Sequence, residues 1–158
     1  MTDSIFATLA PLYRAAGYST IPLEPNSKRP AKEIKRWDGY CNNLPNEKTF
    51  EGWLKDYPRN GIGLLLGKEI MNGFRIGAID VDSEQYVRVV EAILGPSPVS
   101  KVGKKGKTFF VRYSDKKLKS TSFYDFDKRQ IVDVLLNGKM TVLPPSIHPE
   151  TQLPYRSC

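Results

Sequence analysis

The chain has 158 residues, 40% hydrophobic and 11% aromatic, a composition that fits one globular domain burying about 68–70% of the surface its unfolded form exposes. No apolar run approaches the ~20 residues of a membrane span, no basic start precedes an apolar amino-terminal segment, and Cys41 and Cys158 make neither a disulfide framework nor a zinc half-site. What remains is charge: 24 Lys+Arg against 17 Asp+Glu give +7, a balance that draws polyanions, and a cytoplasmic location without a membrane partner is expected.

Ile5, Phe6, Leu9, Leu12, Tyr13 and Ala16 recur at helical spacing between Ser4 and Gly17, predicting a first helix that Pro11 should kink or shorten. Residues 18–23 read as a short strand, 24–32 as a loop rich in Pro and Lys, and the stretch around Trp37 and Tyr40 as irregular. A helix over 46–56 turns Phe50, Trp53, Leu54 and Tyr57 toward a core, so packing rather than base stacking is expected of Trp37 and Trp53. Strands over 61–66 and 74–82, joined by a turn at 67–73, are expected to pair as a hairpin. Ser83 then caps a helix carrying Tyr86, Val87, Val90, Ile93 and Leu94 on one face, stopped by the break at 95–98. Strands over 99–103 and 107–113 flank a glycine-bearing turn at 103–106, and 114–129 reads as a loop excursion. Strands over 130–136 and 139–143 form a hairpin across Asn137 and Gly138. Strands, hairpins and helices alternate without βαβ regularity, which predicts an α+β fold.

Side chains alternate along a strand, so Ile76, Ala78, Asp80 and Asp82 share one face while Ile79 and Val81 take the other. Two carboxylates about 7 Å apart at an effective dielectric of ~20 repel by roughly 2 kcal/mol. A divalent cation reverses that sign, and oxygen donors favour Mg²⁺ or Mn²⁺. Asp133 adds a third acid inside the apolar run from Ile131 to Leu136, where a carboxylate needs a proton, a hydrogen bond or a cation. Alternatively, Asp82 helps cap the next helix, Asp80 is a solvated strand end, and Asp133 pairs with Lys or Arg.

Basic residues cluster twice: at Lys28, Arg29, Lys32, Lys35 and Arg36, and again between Lys101 and Lys119. Within the second cluster, Gly103, Lys104, Lys105, Gly106, Lys107 and Thr108 offer backbone amides, charge and a hydroxyl to a phosphate. This is not the Walker pattern, because a strand follows it where that motif requires a helix. Pro144 and Pro145 end a strand, and His148, between Ile147 and Pro149, could bind a phosphate or metal but is assigned a packed, hydrogen-bonded structural role.

Taken in order, Lys28, Arg29 and Pro30, Trp37, Trp53, Gly61 to Gly67, Asp80 and Asp82, the 103–108 turn, Asp133, and Pro144, Pro145 and Ser146 form a series over nearly the whole chain. The series resembles the amino-terminal domain of bifunctional DNA primase-polymerases, within the archaeo-eukaryotic primase superfamily. The resemblance implies an RRM-like catalytic core with an N-terminal α/β unit and a mixed or antiparallel sheet flanked by helices. It implies metal binding at Asp80, Asp82 and Asp133, and nucleotide-phosphate contacts from Lys105, Lys107, Thr108 and Ser146. Where such domains carry a histidine against the incoming nucleotide's phosphates, this chain has Thr108.

The activity so implied is template-dependent DNA priming and extension in plasmid, phage or mobile-element replication, by two-metal nucleotidyl transfer with Mg²⁺ or Mn²⁺ and no zinc within these residues. Expected partners are a single-stranded DNA template, dNTP or rNTP, and a fused or associated helicase. Residues 1–158 are expected to be a single catalytic domain, part of a longer replication protein, with the domain's carboxy-terminal end missing. Thr108 suggests one rival, a replication module that binds nucleic acid with little or no catalysis. Clustered carboxylates suggest another, a metal-dependent nuclease.

Overall fold

In the computed structural model, which describes residues 4–95 and 99–158, helices and antiparallel strands combine in an α+β fold with two sheets. The smaller sheet has the order β1–β2–β9, comprising β1 Thr20–Pro22, β2 Ile62–Leu65 and β9 Met140–Leu143. Its central strand is buried along its whole length, as expected of a short apolar run covered on both faces.

Helix α1, Ile5–Ala15, packs on this sheet through Phe6 and Ala10, both fully buried. Helix α2, Glu47–Asp56, begins where the Asn46 side chain accepts from the Thr49 amide at 2.8 Å, and it buries Phe50 and Trp53 in the same core. Each such aromatic contributes about 1.5–3 kcal/mol relative to an exposed position. Arg14 joins the helices, donating to the Pro45 carbonyl at 2.8 Å with its guanidinium over the Phe50 ring. Trp37 opens a 3-10 turn, Trp37–Cys41, and packs at the edge of this core, so both tryptophans serve packing.

The larger sheet runs β10–β5–β6–β4–β8–β7: β10 Arg156–Ser157, β5 Ser100–Val102, β6 Lys107–Tyr113, β4 Phe74–Val81, β8 Gln130–Leu135 and β7 Thr121–Tyr124. Strand β3, Glu69–Met71, pairs with the start of β4. Helix α3, Glu84–Leu94, covers one face, with Val87 against Val81 and Phe109 and with Ile79 and Val132 alongside. Ile76 and Ala78 face the first core with Phe110 and Leu135. The alternation expected along β4 therefore holds, and α3 occupies the face that Asp80 does not use.

Several expectations are corrected. β2 does not pair with β4; the left-handed Gly67 redirects the chain, β2 joins β1 and β9, and β3 takes the hairpin position. Nor do β8 and β9 form a hairpin. The turn at Asn137 and Gly138 passes the chain from the large sheet to the small one, where the Leu66 amide donates to Lys139 and the Gly138 amide to Leu66. Residues 114–129 are not all loop: they contain strand β7, which pairs with β8 and carries no burial pattern because it is short and on the sheet edge, with Thr121, Phe123 and Tyr124 all exposed. Pro11 lies inside α1 without shortening it. Ser83 occupies the N-cap of α3, but its side chain makes no capping hydrogen bond. Of the break assigned to 95–98, residues 96–98 lie outside the described residues, as do the first three residues of the amino-terminal segment.

Candidate active site

Directly opposite residues in an antiparallel sheet project to the same face. The register places Lys101 of β5 opposite Thr108 of β6, Thr108 opposite Asp80 of β4, Asp80 opposite Asp133 of β8, and Asp133 opposite Ser122 of β7. A single row of polar side chains thus crosses five strands on the face away from α3. Hydroxyls orient its acids: Thr108 Oγ1 donates to Asp80 Oδ1 at 2.6 Å, and Ser122 Oγ donates to Asp133 Oδ1 at 2.7 Å. Asp82 follows the end of β4, its amide donating to the Ile131 carbonyl and its Oδ2 accepting from Gln130 Nε2 at 3.2 Å. Burial raises the Asp82 carboxyl above the usual range, and the charges of Asp80 and Asp133 add to that rise. Asp133 is half-buried rather than deep in the core, because β8 lies toward the edge of the sheet.

Beside this row lies a cavity of about 220 Å³. Asp80 and Asp82 line it, together with Gly103 and the contiguous Lys101, Tyr155 and His148. Lys28 also lines it, so the two basic clusters, far apart in sequence, meet at one site. Asp133 continues the acidic row outside the cavity lining.

The nucleotide-contact candidates separate in space. Lys105 is exposed at the cavity wall, and Thr108 is buried beside Asp80. Lys107 also borders the cavity, but its ammonium goes to Glu91 on α3 at 2.9 Å and lies over the Phe109 ring, since alternation along β6 turns it to the α3 face. That hydrogen bond raises the Lys107 pKa. Ser146 is buried outside the cavity lining, where its hydroxyl accepts from the Ile62 amide at 2.8 Å and donates to the Ile62 carbonyl at 3.3 Å, tying the proline loop to β2.

His148 has the packed, hydrogen-bonded ring expected of it: it is 4% exposed, its Nδ1 accepts from the amides of Glu150 and Thr151, and it lies against Tyr155. It also borders the cavity. Burial, followed by nearby Lys28, lowers its pKa.

Among the described residues, no three His, Cys, Asp or Glu side chains stand as a ready-made metal cluster. The donor chemistry nevertheless fits a hard divalent cation. Each aspartate keeps a second oxygen free of hydrogen bonds, and none of the ion pairs among the described residues involves Asp80, Asp82 or Asp133. Lys105 acts on Asp82 and Lys101 on Asp80 through charge alone, so three neighbouring carboxylates supported by hydroxyl and amide donors, with no basic side chain in an ion pair with them, leave their free oxygens to a cation.

In the sequence, Lys101 reads only as part of a basic run. In the fold it is 5% exposed, its ammonium donates to the Val142 carbonyl at 2.6 Å and sits 4.7 Å from the Tyr155 ring centroid, and burial lowers its pKa to about 8. Strand periodicity carries the signal: Lys101 occupies the inward phase of β5, while its neighbours Lys104 and Lys105 fall in the turn. Tyr155, whose phenol burial pushes up to about 12, and Ser122 leave no local signal, since their roles depend on the chain end pairing with β5 and on β7 pairing with β8.

Comparison with curated proteins and with solved structures returns no match. A family model described as bifunctional DNA primase/polymerase, N-terminal, matches residues 10–158. Because that match takes in nearly the whole chain, including every strand of both sheets, the protein belongs to the bifunctional DNA primase/polymerase N-terminal domain family.

Proposed function

We propose that this DNA primase/polymerase domain joins nucleotides on a single-stranded DNA template by metal-dependent nucleotidyl transfer, for priming and extension in plasmid, phage or mobile-element replication. Asp80, Asp82 and Asp133 would hold Mg²⁺ or Mn²⁺. Bound there, the metal supplies Lewis-acid activation of the attacking hydroxyl and offsets charge on the polyphosphate. Thr108 and Ser122 fix the carboxylates, limiting reorganisation as charge develops. Lys28 and Lys105 draw the triphosphate to the cavity, and outlying basic residues such as Lys116, Lys117 and Lys119 follow template phosphates.

The observation that carries this reading is the alignment of Asp80 and Asp133 as cross-strand partners beside a lysine-lined cavity, in a chain of the primase/polymerase family. The engagement of the Thr108 hydroxyl by Asp80 supports a second reading, a binding module with weak catalysis. Purified protein supplied with primed and unprimed single-stranded templates, Mn²⁺ or Mg²⁺ and labelled nucleotides separates them. Incorporation abolished by Asp80→Ala supports the enzyme; template binding without incorporation supports the module. Template degradation without added nucleotide would assign a nuclease instead.

A further inference from the structure

The proposed chemistry leaves one wall of the cavity without a role. Lys101, Tyr155 and His148 are each at least nine-tenths buried and succeed one another along this wall, with the Lys101 ammonium over the Tyr155 ring and that ring 5.1 Å from the imidazole. Gly103 allows the wall to close: a Cβ there would come within 2.6 Å of Tyr155 Cε1 and 3.1 Å of His148 Cδ2. Asp80 and Glu150 act on these donors through their charge, but among the described residues no carboxylate makes an ion pair or hydrogen bond with them. The nearby Glu150 is an ion-pair partner of Lys104.

The Thr108 hydroxyl hydrogen goes to Asp80 and the Lys107 ammonium to Glu91, so neither is directed to a ligand. His148 Nδ1 accepts from two backbone amides, which leaves the neutral ring's proton on Nε2, and Nε2 has no protein partner among the described residues. Lys101 uses one ammonium hydrogen on Val142 and keeps two. Buried donors of this kind are costly unless an acceptor completes them, and a polyphosphate brings several anionic oxygens.

We propose that His148, with Lys101 and Tyr155, forms the polyphosphate subsite of the cavity, His148 Nε2–H donating to a non-bridging oxygen of the nucleotide's terminal phosphates. The inference rests on the nucleotide-site reading above. It makes the chain's single histidine a substrate-positioning residue and gives Lys101 the adjacent anion contact.

The test uses the whole chain labelled with ¹⁵N-histidine, whose single imidazole gives unambiguous signals. Long-range ¹H–¹⁵N spectra should show the Nε2–H tautomer, and inorganic tripolyphosphate without template or metal should shift that nitrogen. His148→Leu should weaken tripolyphosphate binding about tenfold or more, while His148→Gln, which keeps a donor near Nε2, should retain most of it. An Nδ1–H tautomer, an unmoved Nε2 signal at saturating tripolyphosphate, or equal binding by a folded His148→Leu protein overturns the proposal; the wild-type spectra decide if that variant fails to fold. Tripolyphosphate binding at His148 in a protein that incorporates no nucleotide would uphold the subsite and remove the polymerase reading. Incorporation with an unchanged nucleotide KM in His148→Leu would do the reverse.

Discussion

Asp80 on β4 stands directly opposite Asp133 on β8, two carboxylates in one cross-strand pair, each held by a hydroxyl from the strand beyond it. Like charges so placed oppose folding, and the arrangement is relieved by a shared cation. Asp133→Asn should therefore stabilise the metal-free protein by about 0.5–1 kcal/mol in urea unfolding, since the amide can still accept from Ser122. It should also lower nucleotide incorporation by roughly 100-fold and abolish most of the rise in Tm that Mn²⁺ gives the wild type. A variant that is less stable without metal and fully active would contradict the pairing.

Thr108 acts on Asp80 rather than as a free phosphate donor. Thr108→Val keeps the shape but removes the hydroxyl, and should cost about 1–2 kcal/mol of stability. Mn²⁺ affinity, followed by titration calorimetry, should fall by roughly 10- to 100-fold, the usual effect of losing a group that orients a metal ligand.

Lys101 places a functional cost on the fold. A lysine ordinarily titrates at 10.5, whereas Lys101 in the folded protein titrates at about 8, so between those values the unfolded chain binds the extra proton and wild-type stability rises with pH. Below about pH 8 the buried ammonium is charged in both states and the full penalty applies. Lys101→Met should be more stable than wild type at pH 7 by on the order of 1–3 kcal/mol, with the difference shrinking between pH 8 and 10.5. Chemical denaturation across that range gives the slope; a difference that widens with pH would contradict it.

At Gly106 in the basic turn both the backbone conformation and the space require glycine. Gly106 has φ +67, and a Cβ there would come within 1.8 Å of the Val81 carbonyl oxygen, on the backbone that leads to Asp82. Gly106→Ala should cost about 2–4 kcal/mol and lower incorporation, because the Val81–Asp82 backbone must move. Gly73→Ala provides the control: its φ is +77, but nothing lies within 4 Å of the added carbon, so only about 1 kcal/mol should be lost in thermal melts.

The two thiols should differ sharply in reactivity. Cys41 is fully buried and burial pushes its pKa up to about 11, whereas Cys158 is exposed. At about pH 8 a maleimide should modify Cys158 in the native protein and reach Cys41 only on unfolding, a difference read by intact mass.

Local patterning locates most elements, because helices and strands impose periods of 3.6 and 2 on side chains that must be buried. The phase of β4, with Asp80 opposite in sense to Ile79 and Val81, is legible for that reason. Pairing is not. The Asn137–Gly138 turn signal marks a reversal, yet the chain leaves the large sheet there and enters the small one. Strand β7 is hidden because an edge strand has no second neighbour to demand apolar residues, and its exposed Phe123 and Tyr124 follow no buried pattern.

By itself, the sequence determined the basic balance, the α+β character, the acidic residues at the end of one strand, and the ordered series that marks the family. It takes the folded chain to set Asp133 opposite Asp80, to bring Lys28 and Lys101 into one cavity, to engage Ser146 and the Lys107 ammonium elsewhere, and to put His148 at the border of the site. The physical reason is range. Periodicity and turn chemistry act over a few residues, whereas strand register between distant segments is set by the burial of both sheet faces together, which no local stretch encodes.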